Sequence, residues 1–135
     1  LTEEEWLTMR RHTLIGAELL SGSDSPLLQM AEIIALTHHE KWDGSGYPNK
    51  LSGEDIPLPG RICAICDIFD ALTSQRPYKE AWAIEKATAH IRELAGGHLD
   101  PQLVQCFEDM LPLMLEVHRT YIDVRVSEPI PVYNA

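Results

Sequence analysis

At 135 residues, 44% hydrophobic and 24% charged, the chain has the size and composition of one soluble globular domain able to bury a core. Eleven basic against 21 acidic residues give a formal net charge of −10, which argues against non-specific binding to a DNA or RNA polymer or to anionic lipid. No apolar run is long enough to span a bilayer, no basic-then-apolar leader is visible, and Cys63, Cys66 and Cys106 are too few for a disulfide framework; a reducing, cytoplasmic setting without membrane contact is expected.

The pattern is helical nearly throughout. Thr2 followed by Glu5 is a capping-box signature, and Trp6, Met9, Gly16 and Leu20 lie near one stripe of a helix that ends at Ser21-Gly22. A second helix has Asp24 or Ser25 as cap and Pro26 at its favoured first position, and runs through Met30, Ile33, Ile34 and Leu36 to about His39. From Asp43 to Gly60 four glycines and three prolines in eighteen residues exclude a helix and predict a long ordered loop, the kind that is usually functional. A third helix starts near Arg61 with Ile62, Ile65, Phe69 and Leu72 at i, i+3, i+7 and i+10, and a fourth carries Ile84, Ala87, Ile91 and Leu94 and stops at Gly96-Gly97. Asp100-Pro101 caps a fifth, which Pro112 should kink or end, and an extended tail is expected from Val124. No alternating run needs a sheet. The fold class is all-α, a bundle of about five helices with a long Gly/Pro-rich loop.

The densest chemical cluster is His38-His39-Glu40, followed by Asp43-Gly44-Ser45-Gly46-Tyr47-Pro48. Two imidazoles at a helix end beside a glycine turn suit metal binding at the rim of a bundle; an exposed histidine pair at a tight turn is the plain alternative. In a regular helix neighbouring residues diverge by about 100°, which favours two adjacent ions over one. His12 sits mid-helix among Met9, Ile15 and Leu19, either as a satisfied ring or as a further ligand. Asp67 and Asp70 are the acids of an otherwise apolar helix and share its face, a placement that is costly unless they meet a metal, a cation or water. Arg76 and Lys79, three apart, are a phosphate clamp or ordinary solvated cations. Cys63-x-x-Cys66 has no second pair and reads as two buried thiols. His98, between Gly97 and Asp100, is expected to tie the turn between helices.

In order, Met9-Arg10-Arg11-His12, His38-His39-Glu40-Lys41-Trp42-Asp43-Gly44-Ser45-Gly46-Tyr47-Pro48, Ile56-Pro57, the helix from Arg61 to Thr73, Ser74-Gln75-Arg76-Pro77-Tyr78-Lys79 and Gly96-Gly97-His98-Leu99-Asp100-Pro101 resemble the HD-GYP family of bacterial phosphohydrolases, over roughly residues 1–110. The resemblance implies a metal-dependent phosphodiesterase that hydrolyses cyclic di-GMP to the linear dinucleotide and/or GMP. It also implies His12, His38, His39 and Asp67 as metal ligands, and two or three divalent ions (iron or manganese) in a complete domain. Asp67 and Asp70 then carry the catalytic carboxylates, Tyr47, Gly44 and Gly46 line the substrate pocket, and Arg76 and Lys79 grip phosphate. The family's His-Asp pair is not found in this sequence. Residues 1–123 are therefore expected to be the C-terminal portion of such a domain, holding one ion or none by itself, with a sensory or receiver domain upstream; a non-catalytic member that binds nucleotide or a protein partner is the alternative. Helices that should pack on the missing segment would be exposed, which could drive homodimerisation.

Overall fold

The capping box at Thr2 forms: the Glu5 N–H donates to Thr2 Oγ1 (3.2 Å) and the Thr2 N–H donates to Glu5 Oε2 (2.7 Å), satisfying two donors that open the first helix. The structure is a computed structural model that describes residues 2–75 and 80–125, with side chains through residue 117. Its helices are α1 (Glu3–Arg10), α2 (His12–Leu20), α3 (Pro26–Thr37), α4 (Leu58–Thr73), α5 (Ile84–Glu93) and α6 (Pro101–Arg125), with a single 3-10 turn at Gly53–Asp55. No strand occurs among the described residues; an isolated bridge links Ala95 and Leu99. The all-α expectation holds.

Residues 1–104 form one compact unit and residues 105–135 a second. In the first, α1 meets α2, α2 packs on α3, α3 on α4 and α4 on α5. Its buried apolar side chains include Ala17, Ile56, Ile65, Leu72, Ile91 and Leu99. Each of the larger ones contributes about 1.5–3 kcal/mol on leaving water. The approach of α4 to α3 requires a glycine: a Cβ on Gly60 would run into Thr37 Oγ1 and stand 2.8 Å from Thr37 Cβ. Thr37 is itself buried, with its hydroxyl donating to the Ile33 carbonyl (2.6 Å). Gly60 thus lets α4 start against the end of α3, which is where the double histidine lies.

Asp100 opens α6 as its sequence suggested. Its Oδ1 accepts the N–H groups of Gln102 (2.9 Å) and Leu103 (3.4 Å), while Oδ2 accepts Arg61 Nη1 at 2.7 Å. Asp100 is almost fully buried, so this one carboxylate caps a helix and neutralises a guanidinium that also lies 5.8 Å from the Trp42 ring centroid. In the second unit α6 continues through Pro112, which does not end it; a proline at an exposed helical position removes one N–H bond, and the turns on either side keep theirs. Val124 and Arg125 close α6, and the remainder of the expected tail lies outside the described residues.

Several sequence expectations change. The single helix from Thr2 to Leu20 is two helices, interrupted at Arg11. Trp6, Met9, Met30, Ile33 and Ile62, which belong to the apolar patterns of their helices, are exposed. Periodicity shows that a helix face is apolar, but it carries no information about what covers that face. For the same reason Cys66 is exposed and Cys63 only half-buried, in contrast to the expected pair of buried thiols.

Candidate metal centre

The interruption at Arg11 positions the first candidate ligand. In an unbroken helix the Met9 carbonyl would accept the N–H four residues on. Here it accepts the ring Nδ1 of His12 at 2.7 Å, and the Thr13 hydroxyl donates to the Arg10 carbonyl at 3.0 Å. His12 therefore opens α2 and is not mid-helix. With Nδ1 as the donor to a carbonyl, the neutral ring keeps its lone pair on Nε2.

The second ligand is built the same way. His38 caps α3, and its Nδ1 lies 2.8 Å from the Ile34 carbonyl and 3.1 Å from that of Ala35, which again leaves Nε2 free. The two Nε2 atoms, 26 residues apart in sequence, face each other at 3.4 Å. Two lone pairs aimed at one another repel unless a cation or a proton stands between them. Two nitrogens each about 2.1 Å from one tetrahedral ion would be about 3.4 Å apart, so the spacing fits a shared metal.

His39 completes the group. The helix ends at Thr37, so the two adjacent histidines are not held to regular helical divergence, and their ring centroids come within 4.1 Å. His39 also meets His12 edge-on at 5.0 Å. One ligand atom from each of His12, His38 and His39 lies within 4.8 Å of the others, a grouping that could hold a metal ion. Burial, reinforced by the neighbouring His38 and His12 and opposed by Asp67, lowers the His39 pKa to about 4. At neutral pH it is an uncharged imidazole, the form that binds metal.

The loop after His39 is folded back by a buried carboxylate. Glu40, 2% exposed, accepts the Asn49 N–H at 2.7 Å on Oε1 and the Leu51 N–H at 3.1 Å on Oε2. Its outer limb is tied to the turn before α6 by Trp42 N–H to the His98 carbonyl (3.0 Å) and Asp43 N–H to the Gly97 carbonyl (2.9 Å). The tie that His98 makes is through its backbone. Gly46 is required by proximity: a Cβ there would collide with Lys41 N and stand 2.5 Å from Glu40 Cα. Gly44 sits at φ +80°, where side chains are strained. Both glycines thus have a backbone reason beside the pocket-lining role implied by resemblance.

The folded loop lays Tyr47 on the histidines. Its ring stacks on His39 (4.9 Å, 27°) and meets His12 edge-on at 6.5 Å, while the Arg10 guanidinium stands 5.0 Å from the Tyr47 centroid. Burial holds the Tyr47 phenol above its ordinary pKa, with Arg10 opposing the shift, so it is a neutral O–H donor.

Asp67 is exposed on α4 and stands outside the three-histidine set, although its charge reaches both His39 and Tyr47. Asp70, also exposed, accepts the Ser74 hydroxyl at 2.8 Å near the end of α4. Arg76 and Lys79 lie outside the described residues. Two contributors lie outside the site residues expected from sequence, Glu40 and Arg10. Glu40 carried a signal: an acid directly before a glycine- and proline-rich loop whose N–H groups need acceptors. Arg10 carried none beyond its place near His12.

A family model described as HD domain matches residues 1–103, about three quarters of the chain. The chain belongs to the HD domain family. Its relatives place it in the HD-GYP type expected from the motifs. It is 46% identical over 129 residues to the 3′3′-cGAMP-specific phosphodiesterase 2 of Vibrio cholerae, covering 96% of this chain and 23% of that protein. It is 54% identical over 104 residues to the cyclic di-GMP phosphodiesterase response regulator RpfG of Xanthomonas campestris (77% and 28% covered), and 46% identical over 127 residues to a cyclic di-GMP phosphodiesterase of Thermotoga maritima (94% and 34%). The crystal structure of a cyclic GMP-AMP-specific phosphodiesterase of V. cholerae, V-cGAP3, aligns with a TM-score of 0.56 at 28% identity, covering 71% of this chain and 20% of that one. The chain spans about a quarter to a third of the length of these curated relatives. HD domains bind divalent metals, and among the described residues His12, His38 and His39 form a group that could hold one. Among the described residues no helix is long and apolar enough to cross a membrane.

Proposed function

We propose that this chain is the part of a cytoplasmic phosphodiesterase domain that carries three histidine ligands of its metal centre, acting on a cyclic dinucleotide, with cyclic di-GMP as the foremost substrate and the linear dinucleotide and/or GMP as product. The observation that carries the reading is the convergence of the His12 and His38 Nε2 atoms at 3.4 Å, each ring fixed through Nδ1 by a backbone carbonyl. Relatives named for cyclic di-GMP and for 3′3′-cGAMP support the substrate class.

His12, His38 and His39 would hold one divalent ion, iron or manganese, with Asp67 as the added carboxylate; a complete domain would hold two or three. A bound divalent ion supplies positive charge to the phosphate oxygens and acidifies a water to serve as nucleophile. The chain's own residues do the rest. The Met9 and Ile34 carbonyls keep His12 and His38 in the tautomer that offers Nε2, and His39 stays neutral because it is buried beside two other imidazoles. Tyr47 shields one flank of His39 from water and offers a phenolic donor, and Asp70 is the substrate-side carboxylate. Arg76 and Lys79 follow α4 and supply cations for phosphate, against a surface that is otherwise strongly acidic. A receiver or sensory domain as regulatory partner, and pairing with a second copy, belong to the same proposal.

The test is metal content of the chain purified without oxygen and supplied with iron or manganese, followed by assay of cyclic di-GMP hydrolysis by the parent protein. About one ion per chain, lost on His38→Ala, and turnover by the parent support the reading. An unchanged metal content in the variant overturns the metal assignment. Nucleotide binding without product would identify the non-catalytic module instead.

A further inference from the structure

The described site contains a cation that the proposed mechanism does not use. Arg10, in the last turn of α1, places its guanidinium carbon 5.0 Å from the centroid of Tyr47, whose ring in turn stacks on His39. The helix break that turns His12 into a ligand follows directly after Arg10, so both side chains are placed by the same local structure. In a chain with 21 acidic residues, Arg10 has no carboxylate within ion-pairing distance among the described residues. Arg61 is the contrast: its charge is spent on Asp100 at 2.7 Å. A guanidinium carbon over an aromatic face uses none of its N–H donors in a conventional hydrogen bond there, so they remain for another ligand. Those donors match a phosphate oxygen pair, and the nearby imidazoles carry no negative charge, the carboxylate felt at Tyr47 and His39 being Asp67.

We propose that Arg10 is a phosphate-binding residue at the rim of the three-histidine cluster, holding a phosphodiester of the substrate from the side of α1. The ligand class rests on the cyclic-dinucleotide reading above; the location rests on the Arg10–Tyr47–His39 stack alone. The plain alternative is a solvated cation that complements the C-terminal end of α1 and shelters its stem on Tyr47.

The experiment compares wild type, Arg10→Gln and Arg10→Lys, each loaded with manganese, by calorimetric titration with cyclic di-GMP and, separately, with inorganic phosphate. Metal content is measured in parallel. The expected result is a loss of affinity of about 10- to 100-fold for both ligands in Arg10→Gln, a smaller loss in Arg10→Lys, and unchanged metal content in both. Equal affinities in all three proteins overturn the proposal in favour of the solvated cation. Loss of metal from Arg10→Gln overturns it in favour of a prop for Tyr47 and His39. If wild type binds phosphate in an Arg10-dependent way but not cyclic di-GMP, Arg10 stands as an anion anchor and the substrate class fails. If wild type binds neither, the anchor is overturned.

Discussion

Glu40→Gln tests whether one buried carboxylate holds the loop over the metal centre. The wild-type side chain accepts two backbone N–H groups, one on each oxygen, from Asn49 at 2.7 Å and Leu51 at 3.1 Å, while 2% exposed. An amide of the same shape has one acceptor oxygen, and its NH2 must face the other N–H, donor against donor. A hydrogen bond to a charged group is worth about 1.5–3 kcal/mol, and leaving a half-buried N–H unmet adds to its loss. Asn49 is exposed, so water can replace part of what is lost on that side. The net expectation is about 2 kcal/mol, or about 1 M off the urea midpoint for a slope near 2 kcal/mol per M. Because Tyr47 lies within the same loop and stacks on His39, manganese affinity should fall as well, by about tenfold. The assay is urea unfolding of both proteins at pH 7 with metal titration alongside. A variant whose midpoint matches wild type would refute the reasoning and leave the Trp42–His98 and Asp43–Gly97 backbone bonds as the ties that hold the loop.

Three further perturbations have definite expected outcomes. Asp100→Ala strands Arg61 in a half-buried site and removes the α6 cap, so urea unfolding should show a loss of about 3–5 kcal/mol, whereas a loss below about 1 kcal/mol would mean that the pair is solvated. Gly60→Ala drives a methyl into Thr37 and should cost about 2–3 kcal/mol in the same measurement, far from the slight gain that alanine gives in an open helix. The His39 pKa of about 4 lies below its unfolded value of 6.5, so the unfolded chain binds the extra proton first as the pH falls. Metal-free protein should accordingly lose stability between about pH 6.5 and pH 4 and none from this source above that window. After allowance for solvent screening the loss is about 1–2 kcal/mol. His39→Gln should flatten that part of the pH profile, and an unaltered profile would place the titration elsewhere.

Much of this protein was legible in its sequence because the relevant forces are local. The Thr2–Glu5 box, Pro26 at the start of α3, Asp100 before α6 and the glycines and prolines after Asp43 act over a few residues, and each structure formed where its residues stand, except that α4 begins at Leu58, inside the stretch to Gly60 expected to be loop, because proline is accommodated in a first helical turn. Helical periodicity likewise settled the all-α class. The adjacent His38 and His39 marked one side of the site, and the ordered motifs pointed to the family. Tertiary structure decided what depends on long separations. His12 meets His38 across 26 intervening steps of chain only because α2 packs on α3 and the helix breaks at Arg11, a break that no propensity at Arg11 announces. The end of α3 at Thr37, against which Gly60 allows α4 to start, lets two adjacent imidazoles converge that regular helix would splay. Which apolar faces are covered, that Glu40 turns inward to staple its loop, and that Arg10 reaches Tyr47 are packing outcomes. They follow from which surfaces meet, and a pattern read within one helix cannot contain them.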